Sequence, residues 1–283
     1  MRVLVLGASG MLGNAMLRVM SEQDNWTVYG TLRSPNSTLK ALAPKAQLLY
    51  GIHADQPDSL LAAFTQSRPQ VVINCVGLVK QLTSADDPLE AILINALLPH
   101  RLARLCELTQ ARLVHISTDC VFSGGQGNYS ESDMPDAEDL YGRSKLLGEV
   151  SDRHAITLRT SIIGHELGSD HGLIGWFLSQ QGRVKGYTEA IFSGLPTCEL
   201  ARVVRDHVIP NTDLDGLYHV AAEPISKHDL LQIVNRIYGK SHQIEPDDRL
   251  KINRSLDASR FKQATGYMTP VWPDLIARMH EFR

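Results

Sequence analysis

Gly7-Ala8-Ser9-Gly10-Met11-Leu12-Gly13 is the stretch on which the fold turns. It follows an apolar run at residues 3–6 and opens an amphipathic stretch over residues 11–20. Gly7 permits a tight turn, Gly10 lets the backbone approach a pyrophosphate, and Gly13 lets the helix pack closely on the strand. The free N–H groups and dipole of that helix start favour an anion. Gly7 and Gly10 are therefore expected beside the pyrophosphate of a dinucleotide.

Working outward, strands are expected at residues 26–31, 48–50, 71–76 and 113–117. Helices are expected from about residue 58 and over residues 88–109, where Pro99 predicts a kink or break. Apolar strands alternating with helices predict an α/β fold, a doubly wound parallel sheet of Rossmann type. After about residue 161 the rhythm becomes irregular. A strand at 216–220 and a helix at 227–238, capped by Ser226, stand out there. The expectation is a dinucleotide-binding domain over residues 1–160. A smaller C-terminal substrate-binding lobe over 161–283 returns some elements to the sheet.

Strand two ends Tyr29-Gly30-Thr31-Leu32-Arg33-Ser34 with no acidic residue to hold a ribose 2′-hydroxyl. A guanidinium there attracts a 2′-phosphate, so Arg33 favours NADPH, with NADH as the alternative.

The fifth strand leads into Thr118-Asp119-Cys120-Val121-Phe122-Ser123-Gly124, and about twenty residues later comes Tyr141-Gly142-Arg143-Ser144-Lys145. The YxxxK spacing puts Tyr141 and Lys145 on one helix face. An ammonium beside the phenol is expected to lower its pKa, so that Tyr141 can give a proton to a nascent alkoxide. Thr118 can hold the same oxygen.

With these motifs the chain resembles the extended short-chain dehydrogenase/reductases, and within them the dTDP-4-dehydrorhamnose reductase group. The resemblance also rests on Val72-Ile73-Asn74-Cys75-Val76-Gly77, on Tyr141 through Glu149, on Leu158-Arg159-Thr160-Ser161 and on Gly216-Leu217-Tyr218-His219-Val220. It implies a catalytic set of Thr118, Tyr141 and Lys145. It implies NADPH held by Gly7, Ser9, Gly10, Met11 and Leu12, with Cys75, Val76 and Gly77 against the cofactor ribose and His53 with Ala54 at the adenine. The implied reaction is hydride transfer to C4 of a 4-keto-6-deoxy sugar on a nucleoside diphosphate, in cell-surface polysaccharide or deoxysugar biosynthesis.

Asp119 and Cys120 fall near the sugar in that group, which usually has Tyr where this chain has Cys120. Lys80 is a candidate for a substrate phosphate. Arg183 and Lys185, two cations flanked by glycines, suit a substrate pyrophosphate. Nucleotide-sugar dehydratases place Glu after the Asp, and a thiol is a poor replacement for that base. An NAD-dependent nucleotide-sugar epimerase and a non-catalytic regulatory subunit of the same fold are the alternatives.

The composition suits an ordinary globular protein. Of 283 residues 43% are hydrophobic and 21% charged, with a net charge of −3. Nothing there suggests a nucleic-acid surface or a membrane patch, and no run approaches the roughly 18 apolar residues of a membrane helix. His165, Glu166 and His171 lack metal-binding helical spacing, so no metal is expected. Four dispersed cysteines point to a reducing, cytoplasmic setting. A two-fold homodimer is the default assembly.

Overall fold

The computed structural model describes residues 1–78 and 87–283. Its centre is a seven-stranded sheet, every neighbouring pair parallel. The strands are β1 (Arg2–Leu6), β2 (Thr27–Leu32), β3 (Gln47–Tyr50), β4 (Val71–Asn74), β5 (Arg112–Thr118), β6 (Ala155–Thr160) and β7 (Gly216–His219). Their spatial order is β7-β6-β5-β4-β1-β2-β3. β1 and β4 are wholly apolar and buried at their centres, as strands covered on both faces must be. The order reverses between β1 and β4, which opens a crevice at their carboxyl ends.

Two cores flank the sheet. One gathers Val3, Val5, Met16, Leu17 and Met20 with Leu200, Ala201 and Val204 from the C-terminal half. The other gathers Leu4, Leu6, Leu60, Phe64, Leu102 and Cys106. Helix Met11–Met20 packs on helix Thr197–Val203, so residues beyond 160 cover one face of the sheet, and β7 extends its edge.

The helix expected over residues 88–109 runs as α-helix Pro88–Ala91, a π-helical stretch Ile92–Leu97 and α-helix Leu98–Thr109. Pro99 falls in the first turn of the last piece, where its missing N–H costs little. The expected break is thus a widening of the turn just before the proline. Strand four ends at Asn74, shorter than expected; the Cys75 N–H still donates to the Leu6 carbonyl at 3.2 Å, and the Val76 N–H turns to the Asn74 side chain. Ser226 caps helix Lys227–Ile237, its hydroxyl accepting from the Asp229 N–H at 3.0 Å. The short helix Ser37–Leu42 is not legible in the sequence pattern.

Outside the main sheet, Ile225–Ser226 and Ile252–Asn253 both pair with Ala190–Phe192. A separate ribbon joins Arg183–Tyr187 to Gln243–Asp247.

Candidate active site

The glycine loop is built for close approach. Gly7 adopts φ +75°. A Cβ on Gly13 would lie 2.0 Å from the Gly7 carbonyl oxygen, so no other residue fits where helix meets strand. A Cβ on Gly10 would meet only the Gly7 oxygen, at 3.4 Å, which leaves its outer side open. Gly10 is the N-cap of helix Met11–Met20 and gives it no side-chain cap, so the first N–H groups lack helical acceptors. Ser9 and Gly10 are exposed, and Met11 is half-buried. This is the donor set a pyrophosphate needs.

Across the crevice stand Cys75 and Val76, half-buried, and Gly77, exposed. Asn74 is fully buried, and its Oδ1 accepts from the Val76 N–H at 3.1 Å. Arg33 follows β2 directly, exposed and, among the described residues, without a partner. His53 and Ala54 follow β3, both half-buried, and the His53 N–H donates to Ser59 Oγ at 2.7 Å. These residues fit a nicotinamide dinucleotide. Arg33→Glu is expected to weaken NADPH binding about tenfold or more and to leave NADH nearly unchanged, because it replaces an attraction to the 2′-phosphate by repulsion. Titration of intrinsic fluorescence with both dinucleotides checks this; equal loss for both would remove Arg33 from the phosphate site.

At the end of β5, Thr118 is in extended conformation and leads into one 3₁₀ turn, Asp119–Val121. Its Oγ1 accepts from the Cys120 N–H at 3.1 Å and donates to Asp119 Oδ1 at 3.2 Å. Asp139 caps helix Leu140–Leu147 through the Gly142 N–H at 2.7 Å, which sets the start of the helix one residue before Tyr141. Tyr141 and Lys145 therefore rise from one helix, one turn apart.

Their electrostatics correct the sequence reading. The Tyr141 phenol is pushed up, not down: desolvation is the largest cause, a thiolate at Cys120 would add to it, and the Thr118 hydroxyl opposes it. Lys145 is buried, and its Nζ donates to the Ile116 carbonyl at 2.7 Å. It faces the backbone of β5, and a Cβ on Gly77 would lie 3.8 Å from its Nζ. Burial lowers its pKa to about 8, against the opposing charges of Glu149 and Cys75. Tyr141 is thus protonated at neutral pH, the state in which it can act as an acid.

Asp119 and Cys120 lie beside this pair. Burial raises the Asp119 carboxyl, and Arg254 acts against it. Burial, then the Asp119 charge, pushes the Cys120 thiol to about 12, so it is no thiolate nucleophile. Arg183 and Lys185 are not brought to this cluster by any described contact. They lie exposed on the outer ribbon, where Arg183 pairs with Glu245 at 3.3 Å. Lys80 lies outside the described residues. Glu166 accepts from the His171 and Gly172 N–H groups and so orders a loop.

Several site residues escape a reading of the sequence. Asn95, buried in the π-helical stretch, accepts from the Leu78 N–H at 3.0 Å and donates to Ser144 Oγ at 3.2 Å. It ties the loop after β4 to the helix of Tyr141. The interruption at Pro99 was the only local signal. Glu149 grips Arg159 through two 2.7 Å hydrogen bonds and accepts a third of 2.7 Å from Ser117 Oγ. Arg254 Nη1 reaches Cys120 Sγ at 3.6 Å, a contact between segments far apart in the chain.

A model of the family described as the RmlD substrate binding domain matches residues 1–265. The chain is 30% identical over 181 residues to the probable low-salt glycan biosynthesis reductase Agl14 of Haloferax volcanii, covering 62% of this chain and 58% of that protein. It is also 30% identical over 166 residues to methionine adenosyltransferase 2 subunit beta of Xenopus tropicalis, covering 57% of this chain and 47% of that one. The matches thus span about half the length of these curated relatives. Among solved structures, a hypothetical dTDP-4-dehydrorhamnose reductase from Sulfolobus tokodaii is similar, with TM-score 0.77 and 26% identity over 96% of this chain and 98% of that one. The dTDP-4-dehydrorhamnose reductase of Bacillus anthracis in complex with NADP has TM-score 0.81 at 20% identity, over 99% and 98% of the two chains. At that identity the likeness speaks for the fold.

Proposed function

This chain belongs to the RmlD substrate-binding-domain family, and from that premise we propose that it is an NADPH-dependent reductase of a nucleotide-linked ketosugar. The inferred reaction is reduction of a 4-keto group on a nucleoside-diphosphate sugar, with the 6-deoxy sugars as the class its resemblance implies. The setting is cell-surface polysaccharide or deoxysugar synthesis in the cytoplasm, in keeping with four free cysteines. The reading assigns residues 1–160 to the dinucleotide and 161–283 mainly to the sugar. A homodimer is the assembly it expects.

The observation that carries the reading is the placement of Thr118 at the end of β5 and of Tyr141 and Lys145 one turn apart on the helix that Asp139 caps, with the phenol kept protonated by burial. Bound NADPH, or NADH as the alternative, supplies the hydride. Thr118 orients the carbonyl oxygen by a hydrogen bond. Tyr141 gives its proton to that oxygen as negative charge grows there. Lys145, as ammonium below pH of about 8, puts positive charge under Gly77, where the resemblance sets the ribose. Asp119 and Cys120 border the sugar. With the hydride that a bound nicotinamide would supply at the cost of its own oxidation, the Tyr141 proton would complete the conversion of C=O to CH–OH.

The test mixes purified protein with NADPH and a panel of nucleoside-diphosphate 4-ketosugars while nicotinamide absorbance is followed. Oxidation with at least one sugar is expected; none with any member removes the reading. A second reading, a regulatory subunit without turnover, is favoured by the likeness to methionine adenosyltransferase 2 subunit beta. The intact Thr118, Tyr141 and Lys145 set weighs against it.

A further inference from the structure

Beside the loop that follows Thr118 stand two cations that the reaction above does not use. Lys227 opens helix Lys227–Ile237, and Arg254 follows the strand Ile252–Asn253. One small sheet brings them together, because Ser226 and Asn253 are both register partners of Ile191. The loop that follows Thr118 is fastened to the same sheet. The Asn253 N–H donates to the Gly124 carbonyl at 2.8 Å, and Arg254 Nε donates to the Phe122 carbonyl at 2.7 Å. Gly124, at φ +92°, makes room: a Cβ there would lie 2.5 Å from Ile252 Cγ1 and 3.0 Å from Arg254 Cγ.

Lys227 is half-buried and feels the charges of Asp119, Cys120 and Arg254. Among the described residues, none hydrogen-bonds or ion-pairs with its ammonium. Arg254 keeps Nη2 without a described partner. Two carboxylates stand near them: Asp119, buried, whose Oδ1 is taken up by Thr118 and Cys120, and Asp136, exposed, which accepts two hydrogen bonds from Ser123 and feels the charge of Arg254. Partial burial desolvates the Lys227 ammonium, and no described hydrogen bond or ion pair offsets this. That ammonium is placed to meet an anion that arrives with the substrate. The position is close to the chemistry, since Arg254 touches Cys120 and the Cys120 N–H donates to the Thr118 hydroxyl that orients the carbonyl.

We infer that Lys227 and Arg254 form an oxyanion subsite beside Cys120, and that the sugar itself carries a carboxylate on the side of its ring that faces this pair. The inference rests on the nucleotide-ketosugar reading and changes one part of it. An acidic sugar replaces the 6-deoxy sugar of the general resemblance.

The test is binding, measured by calorimetry on the NADPH-loaded protein, so it does not require turnover. The probes are a nucleoside-diphosphate hexuronate and the matching neutral hexose. The uronate is expected to bind about tenfold or more tightly than the hexose, the factor supplied by one charge-assisted contact. Lys227→Met is expected to abolish that preference and Lys227→Arg to keep it. Circular dichroism on each variant separates loss of the subsite from loss of the fold. Equal affinity for the two sugars, or a preference that survives Lys227→Met in a folded protein, overturns the subsite. Equal weakening of both sugars by Lys227→Met would assign the cations to the diphosphate and also overturn it. If neither sugar binds, the nucleotide-sugar reading falls and takes this inference with it.

Discussion

Tyr141→Phe is expected to lower kcat by about two orders of magnitude or more, while cofactor affinity stays within about twofold. The reduction needs a proton at the carbonyl oxygen as hydride arrives, and Tyr141 is the acid beside Thr118. Its phenol is held protonated across the neutral range, because burial pushes its pKa up. Losing the hydroxyl removes that proton while keeping the ring in its half-buried place. Pre-steady-state oxidation of NADPH with the best substrate of the panel measures the step. Near-normal turnover in the variant would assign the proton to another group.

Glu149→Ala is expected to destabilise the fold by about 3–5 kcal/mol, the range for breaking one side of a buried ion pair. The Arg159 side chain is 4% exposed and that of Glu149 12%. Arg159 makes both of its short ionic bonds to Glu149. Its remaining neighbours are the His219 Nε2 at 3.4 Å and the Phe122 ring, 5.3 Å from centroid to guanidinium carbon. Neither offers a countercharge, so truncation strands a buried cation. At roughly 2–4 °C per kcal/mol for a domain approaching this size, the melting temperature should fall by about ten degrees. Pairing the change with Arg159→Met should recover much of the loss, since the stranded charge is gone. A drop under about 1 kcal/mol in the single variant would show that water reaches the guanidinium. Glu149 also raises the Lys145 pKa, which burial depresses. Its loss should therefore leave Lys145 more often neutral at pH 7.

Much of this architecture is legible in the sequence, because local pattern and tertiary fold agree there. The alternation of buried strands and helices, the Gly7–Gly13 turn and the Ser226 cap are each fixed by neighbours within a few residues. The direction of Lys145 is not legible. Spacing sets the helix face it leaves from, but the Ile116 carbonyl decides where its ammonium rests, and burial decides its pKa. The surroundings of Arg183 and Lys185 are not legible either. Glycine-flanked cations suit phosphate, yet the ribbon they form with residues 243–247 leaves them exposed at the outside. The cations that do face the catalytic loop, Lys227 and Arg254, carry no motif. They meet Asp119 and Cys120 only through the small sheet around Ile191. Pro99 announced an irregularity without revealing that a π-helical stretch would point Asn95 at the loop after β4.

Transfer of deuterium from C4-deuterated NADPH to a nucleotide ketosugar, read by mass spectrometry of the product, probes the catalytic reading most directly. Both C4 epimers of the labelled cofactor are used. One of them is expected to place a single deuterium on the carbinol carbon, and Tyr141→Phe to slow its appearance. Unlabelled sugar from both epimers, with bound cofactor intact, would contradict reduction at this site and leave a dinucleotide-binding protein without redox chemistry.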